Sequence, residues 1–214
     1  MDEPPMTENA LAIVLSRLQV FDNPVERLEQ YPTPSSIAAH VLMRMFRQGL
    51  IRMCHVYDLG CGTGILGLGA LLLGAGKVTM LDVDEAALVQ ARKNYQWLIE
   101  EGFLDNQDAA VFERGDVIGA QGVGDVVVMN PPFGTRTKHA DTAFLDAAAG
   151  MSDMIISMHK SSTMRHIHKW ADRKAFTVQW EERVVYPIAA SYAHHSRRLH
   201  PVDVTVVCLC REEV

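Results

Sequence analysis

The chain has 214 residues and a formal net charge of −6, with 48% hydrophobic and 21% charged residues. That length suits one domain with a substantial core, and the acidic balance argues against a protein that coats nucleic acid indiscriminately, while leaving room for a local basic patch. No apolar run reaches the roughly 18 residues needed to cross a bilayer, and the opening MDEPPMTENA is acidic and polar, unlike a signal or transit peptide.

In chain order, residues 1–6 read as disordered. Apolar Leu11, Val14, Leu15 and Leu18 fall on one face of a helix predicted over Thr7–Gln19. Three prolines in NPVERLEQYPTPSS break that pattern, after which Ser35 or Ser36 is expected to cap a helix running to about Arg47. From there the chain alternates: strand HVYDLG, helix GILGLGALLLGA, strand KVTMLDV, helix DEAALVQARKNYQWLIEEG, strands AAVFERGDV and DVVVMN. A helix over 141–149, strand DMIISMH, helix STMRHIHKWADRK and the β-rich segments FTVQWEERVV and VDVTVVCLC complete it. Such alternation predicts an α/β fold with a mostly parallel sheet covered on both faces. The last two strands, with no helix between them, fit an antiparallel hairpin at one edge. The expected organisation is a single domain over 7–214, with 7–47 as a helical and lid segment and 54–214 as the core. The four cysteines, Cys54, Cys61, Cys208 and Cys210, contain no C-x-x-C pair. They read as reduced thiols with no metal site, in a cytosolic or nuclear protein.

Ligands of such sheets lie outside the carboxyl ends of the strands, and the motifs cluster there. DLGCGTGIL places Gly60, Gly62 and Gly64 directly after the first strand, followed by Thr63 and Ile65 around the turn. Glycine there permits unusual backbone angles and lets a ligand touch the main chain, although a merely structural turn would look the same. Two neighbours narrow the reading. Asp58 precedes the turn, where a carboxylate repels a pyrophosphate and favours a cation. Asp82 closes the second strand 22 residues past Gly60, the place of an acidic group that accepts ribose hydroxyls. A positively charged, ribose-bearing cofactor without phosphate fits S-adenosylmethionine better than NAD. Asp84 reads as a helix cap, with Glu85 in the first turn.

DVVVMNPPFG, residues 125–134, ends a buried strand in a stiff turn. Its bland alternative is a proline-rich turn that only terminates the strand. The chemical reading is a clamp for a planar nitrogen. An amide or aryl amine is a poor nucleophile because its lone pair is delocalised. The Asn130 side-chain oxygen and the Pro131 carbonyl can hold its two hydrogens in a more tetrahedral arrangement. Pro131 and Pro132 lock φ, and Phe133 offers a stacking face worth about 1–3 kcal/mol for a base.

DLGCGTG, Asp82, Asp116 after the third strand and NPPF after the fourth resemble the class I, seven-strand, Rossmann-like methyltransferases of the amino-methylating branch. The resemblance implies that Asp82 holds the cofactor ribose and that Asp116 with Val117 frames its adenine; alone, Asp116 reads as a turn residue. With LEQYPTP, DTAFL and MHKSST added, the chain from about 11 to 210 is similar to the methyltransferase-like protein five group. That group methylates an adenine amine of small-subunit ribosomal RNA. The resemblance implies that Gln30 and Thr33 reach over the cofactor, that the RNA substrate is ribosomal, and that a small zinc-binding activator protein joins the sheet edge as a heterodimer. Thr63 departs from the small residue common in the group, and IAASY matches too loosely to carry a role.

Candidate phosphate contacts are Arg136 and Lys138 beside NPPF, His159 and Lys160 at the end of the fifth strand, and Arg165, with a further cluster in HHSRRLH over 194–200. A solvated surface charge is the competing reading for each. The expected sites of action are the nucleus, its nucleolus and the cytoplasm. Alternatives are an N5-glutamine methyltransferase acting on a translation factor, a DNA adenine methyltransferase, and a non-catalytic RNA-binding scaffold. The short amino-terminal segment and Phe133 weigh against the first, lack of room for a recognition domain against the second, and an intact clamp with Asp82 against the third. An NAD oxidoreductase fits least.

Overall fold

The continuous apolar runs of the sequence become the central strands of a seven-stranded sheet. The computed structural model describes residues 3–105, 109–133, 140–186 and 202–212. Its elements are α1 (Glu8–Leu15), α2 (Ser35–Arg47), β1 (His55–Leu59), α3 (Ile65–Leu72), β2 (Lys77–Asp82), α4 (Glu85–Glu100) and β3 (Ala110–Arg114). They continue with β4 (Val126–Met129), α5 (Ala140–Met151), β5 (Met154–Lys160), α6 (Met164–Arg173), β6 (Phe176–Tyr186) and β7 (Val202–Arg211). The sheet order is β3-β2-β1-β4-β5-β7-β6. Among the described strands β7 alone points opposite to the rest, antiparallel to β5 on one side and to β6 on the other. The expected class I architecture and C-terminal antiparallel hairpin are therefore present. No helix among the described residues is long and apolar enough to cross a membrane.

All four residues of β4, Val126–Met129, are buried, because side chains alternate between two covered faces. Val126 and Val128 join a core with Leu11, Leu15, Leu42, Leu68 and Leu88, under α1 to α4. Val127 and Met129 join a second core with Leu145, Ile167, Trp170 and Phe176, under α5 and α6. Met6, within the stretch expected to be disordered, packs partly buried against the first core.

The two amino-terminal helices differ from expectation at their ends. The first helix is shorter: Thr7 caps it, its hydroxyl accepting from Ala10 N at 3.2 Å, and Leu15 is its last residue, while Leu18 stays buried beyond it. Neither serine caps the second helix. Ser35 is its first residue and Pro34 holds the cap position without a side-chain bond. The Pro34 carbonyl accepts from Ala38 N at 2.9 Å and closes the first turn.

A charged network fastens the amino-terminal helices to the edge strand β6. His40 lies 3.0 Å from Glu8 through Nδ1 and 3.0 Å from Glu182 through Nε2. Arg44 also pairs with Glu182 and stacks over Trp180 at 3.6 Å. Burial alone would lower the His40 pKa, but hydrogen bonds to Glu8 and Glu182 outweigh it and raise the value above 6.5. Burial would raise the Glu182 carboxyl, yet His40 and Arg44 hold it below 4.5. The raised histidine contributes stability that is complete below its unfolded pKa and fades as pH climbs through its folded value. The lowered carboxyl contributes above its unfolded pKa and fades on acidification through its folded value. Glu182→Gln is thus expected to lower the melting temperature most between the two unfolded values, 4.5 and 6.5, and less in alkali, where Arg44 alone remains paired. Melting curves of both proteins across pH check this; a pH-independent difference would count against it.

Candidate active site

Strand order reverses between β1 and β4, since β1 leads outward to β2 on one side and β4 to β5 on the other. The carboxyl ends there diverge around a cavity of about 480 Å³, a size suited to a small-molecule ligand.

Its floor is the glycine turn. Gly60 and Gly62 take φ of 67° and 55°, the left-handed region that favours glycine. The amides of Gly60 and Cys61 both donate to Leu81 O, at 2.8 and 3.0 Å, which pins the turn to β2. A Cβ at Gly60 would come within 2.8 Å of the Phe144 ring, and one at Gly62 within 2.8 Å of the Phe21 ring. The two aromatics therefore lean on bare backbone, and any larger residue in the turn would displace them. Cys61 is buried, and burial pushes its thiol well above the usual range, so it is no nucleophile.

The acidic residues divide their roles. Asp82 accepts from Gly62 N at 2.8 Å through one oxygen and from Asp84 N at 2.9 Å through the other. Each oxygen keeps a lone pair for a cavity ligand such as a ribose hydroxyl. Asp58 is buried beneath the turn and accepts from Gly67 N at 2.8 Å, tying the first turn of α3 to β1. Burial pushes its carboxyl up to about 7, with Asp82 adding to the rise and the Gly67 bond opposing it. A cationic ligand favours the ionised form, so cofactor affinity is expected to strengthen several-fold from about pH 6 to about pH 8 as Asp58 loses its proton. Asp58→Asn should flatten that profile in calorimetric titrations; an unaltered slope would detach Asp58 from the cofactor charge. Asp84 caps α4 as expected, accepting from Ala86 N at 3.0 Å.

The segment after α1 closes over the cavity. Gln30 donates to Asp84 Oδ2 at 2.7 Å and accepts from Val25 N at 2.7 Å, so it fastens this segment to the start of α4. Thr33 Oγ1 accepts from Asn130 Nδ2 at 3.0 Å. The other Asn130 hydrogen goes to the Tyr186 hydroxyl, also at 3.0 Å. Asn130 Oδ1 is left buried without a hydrogen-bond partner among the described residues, on a residue that lines the cavity.

The cavity wall thus brings together Gln30, Thr33, Asp58, Gly60, Gly62, Thr63, Ile65, Asp82, Asp116, Val117, Asn130 and Pro132. Asp116 also makes the turn that its position suggested, accepting from Ile118 N at 2.9 Å. Pro131 and Phe133 do not line the cavity. The Phe133 ring instead meets Tyr186 edge-on, centroids 6.0 Å apart and planes at 85°.

Of the expected phosphate contacts, His159 is corrected. It is only 2% exposed, lies 2.8 Å from Ser157 Oγ, and burial pushes its pKa down to about 4. A neutral, enclosed imidazole cannot pair with phosphate. Lys160 is half-buried and Arg165 exposed at the same end of the sheet. Arg136, Lys138 and the 194–200 cluster lie outside the described residues. Sequence reasoning missed Phe21, Phe144 and Tyr186. DTAFL contains Phe144, but nothing local marked its contact with Gly60.

Residues 36–154 match the family described as Methyltransferase small domain. With its sheet order and its glycine turn followed by a strand-end carboxylate, the chain is a class I methyltransferase, and its cofactor is S-adenosylmethionine. The rRNA N(6)-adenosine-methyltransferase METTL5 of Danio rerio is 35% identical over 196 residues, covering 90% of this chain and 92% of that protein. MJ0284 of Methanocaldococcus jannaschii is 30% identical over 200 residues, covering 92% and 90%. The solved structure of PH1948 from Pyrococcus horikoshii superposes with a TM-score of 0.84 at 35% identity, covering 95% of this chain and 98% of that one. The chain belongs to the methyltransferase-like protein five family.

Proposed function

We propose that the protein transfers a methyl group to the exocyclic N6 of an adenosine in small-subunit ribosomal RNA, with Asn130-Pro131-Pro132-Phe133 as the clamp. One observation carries this reading: Asn130 Oδ1 is a buried acceptor at the cavity wall with no partner among the described residues, while both hydrogens of the same amide are held by Thr33 and Tyr186. A buried unpaired acceptor is costly, and an N–H of the substrate amine would satisfy it. S-adenosylmethionine, when bound, supplies a methyl carbon made electrophilic by its positive sulfur. Asp82 would hold its ribose, Asp116 and Val117 would flank its adenine, and Gln30 and Thr33 would cover it.

Asn130 Oδ1 accepts one amine hydrogen and turns the nitrogen lone pair out of the ring plane. The Pro131 carbonyl, next in the chain to the cavity wall though not part of it, is assigned the second hydrogen. No residue need remove a proton before attack, because the alkylated amine is acidic and gives its proton to water. Catalysis is then orientation and preorganised polarity. The target base must leave its stack, which an RNA loop permits more readily than a duplex.

Lys160 and Arg165 support an RNA approach from the carboxyl side of β5. Lys169 and Arg173 continue the exposed basic row at helical spacing along α6. The opposite edge strand, β3, has a neighbour on one side only. The connection that leaves it toward β4 carries two exposed apolar residues, Ile118, 71% exposed, and Val123, 84% exposed. These features support β3 as the docking edge for a small zinc-binding activator. Action in the nucleolus and cytoplasm follows from the substrate. The test is transfer from labelled S-adenosylmethionine to ribosomal RNA, DNA or a release factor, with and without the activator, followed by digestion. Label in N6-methyladenosine from the small-subunit RNA is expected; label in glutamine or in DNA would overturn the reading.

A further inference from the structure

We propose that Tyr186 is a positioning residue for methyl transfer: its hydroxyl fixes which end of the Asn130 amide faces the cavity and links that orientation to the seating of the Tyr31-Pro32-Thr33 segment. The inference rests on the role of Asn130 proposed above. A primary amide can occupy its site in two orientations of nearly equal shape, and only one presents oxygen to a substrate amine. The flipped amide would present hydrogens, which repel an N–H.

Tyr186 selects between them. It is the last residue of β6, paired with Val202 of β7, and only 1% exposed. Its single proton has an acceptor of its own, because the hydroxyl donates to Pro32 O at 3.2 Å. Toward Asn130 the phenol oxygen therefore offers lone pairs, and it accepts from Nδ2 at 3.0 Å. In the flipped orientation Oδ1 would face that oxygen with no proton between them, unless the hydroxyl abandoned Pro32. Tyr186 is almost wholly buried, so the first choice sets two acceptors against each other and the second leaves Pro32 O without this donor, and both are costly. Burial also pushes the phenol up to about 12, although hydrogen bonds from Thr33 and Asn130 oppose the shift, so the proton is present under all working conditions. Tyr186 does not line the cavity. It acts through Asn130, and its bond to Pro32 makes the amide orientation depend on that segment being in place.

Tyr186→Phe removes the hydroxyl and keeps the ring against Phe133. In the full-length protein with its RNA substrate, kcat is expected to fall about tenfold or more, with cofactor Kd and RNA KM within about twofold of wild type. In an Asn130→Ala background the same substitution should change kcat no further, because there is no amide left to orient. Undiminished kcat in Tyr186→Phe, or an equal loss in both backgrounds, would overturn the proposal. Should Tyr186→Phe fold poorly, the side-chain NH2 resonances of Asn130 in the wild-type protein carry the test. Slow exchange of both protons with solvent is expected, and rapid exchange would overturn it. Full activity of Asn130→Ala would instead remove the reading of the clamp itself, a separable result.

Discussion

Replacing Asn130 with alanine is expected to lower kcat for methyl transfer by about 100- to 1,000-fold, the range for removing one preorganised polar group from a transition-state site. Cofactor affinity should fall far less than kcat, because the glycine turn and Asp82 are untouched. The substitution deletes a buried acceptor, on a cavity-lining residue, that has no partner among the described residues, and it also releases Thr33 and the Tyr186 hydroxyl from their donor. Asn130→Asp distinguishes these effects. It keeps an acceptor toward the amine but offers no hydrogens to Thr33 and Tyr186, so it should recover only part of the loss. Single-turnover rates with saturating RNA and cofactor are the measurement. Wild-type turnover by the alanine variant would end the clamp interpretation.

The second large effect belongs to Asp82. Asp82→Ala is expected to weaken S-adenosylmethionine binding by about 100-fold, since hydrogen bonds to a charged acceptor contribute about 1.5–3 kcal/mol each. The carboxylate has two duties, holding Gly62 N and Asp84 N while facing the cavity, so its removal also slackens the turn and the approach to α4. Asp82→Asn keeps one acceptor oxygen and should lose less. Isothermal titration of both variants checks the order; equal affinity in all three proteins would remove Asp82 from the cofactor site.

How much of this was legible before the fold was known depends on how local each signal is. The glycine turn and Asp82 sit at strand ends that hydrophobic runs mark directly, and the Asp84 cap needs only its own neighbours. Ser35 failed as a cap because the preceding proline already supplied the carbonyl for the first turn. His159 misled because a strand end reads as exposed. Here β7 lies alongside β5, pairing Thr205 with His159, and the imidazole turns inward to Ser157. Tyr186 was out of reach altogether: 56 residues separate it from Asn130, and only the return of β6 brings them together. Phe21 and Phe144 were hidden for the same reason, each approaching the glycines from a different side.

The placement of β7 between β5 and β6 has a consequence for how the chain acquires its shape. During synthesis β5 emerges well before the strand that will cover its flank, so Met154–Lys160 must wait with one row of backbone groups unpaired until Val202–Arg211 arrives. Long-range pairing of this kind is slow and leaves sticky intermediates. The latch between Tyr186 and Asn130 lies beside that late seam, so methylating competence is expected to be the last property the nascent polypeptide gains. Pulse-labelled hydrogen exchange during refolding would show it, with β5 and β7 amides becoming protected together and after those of β1 and β2.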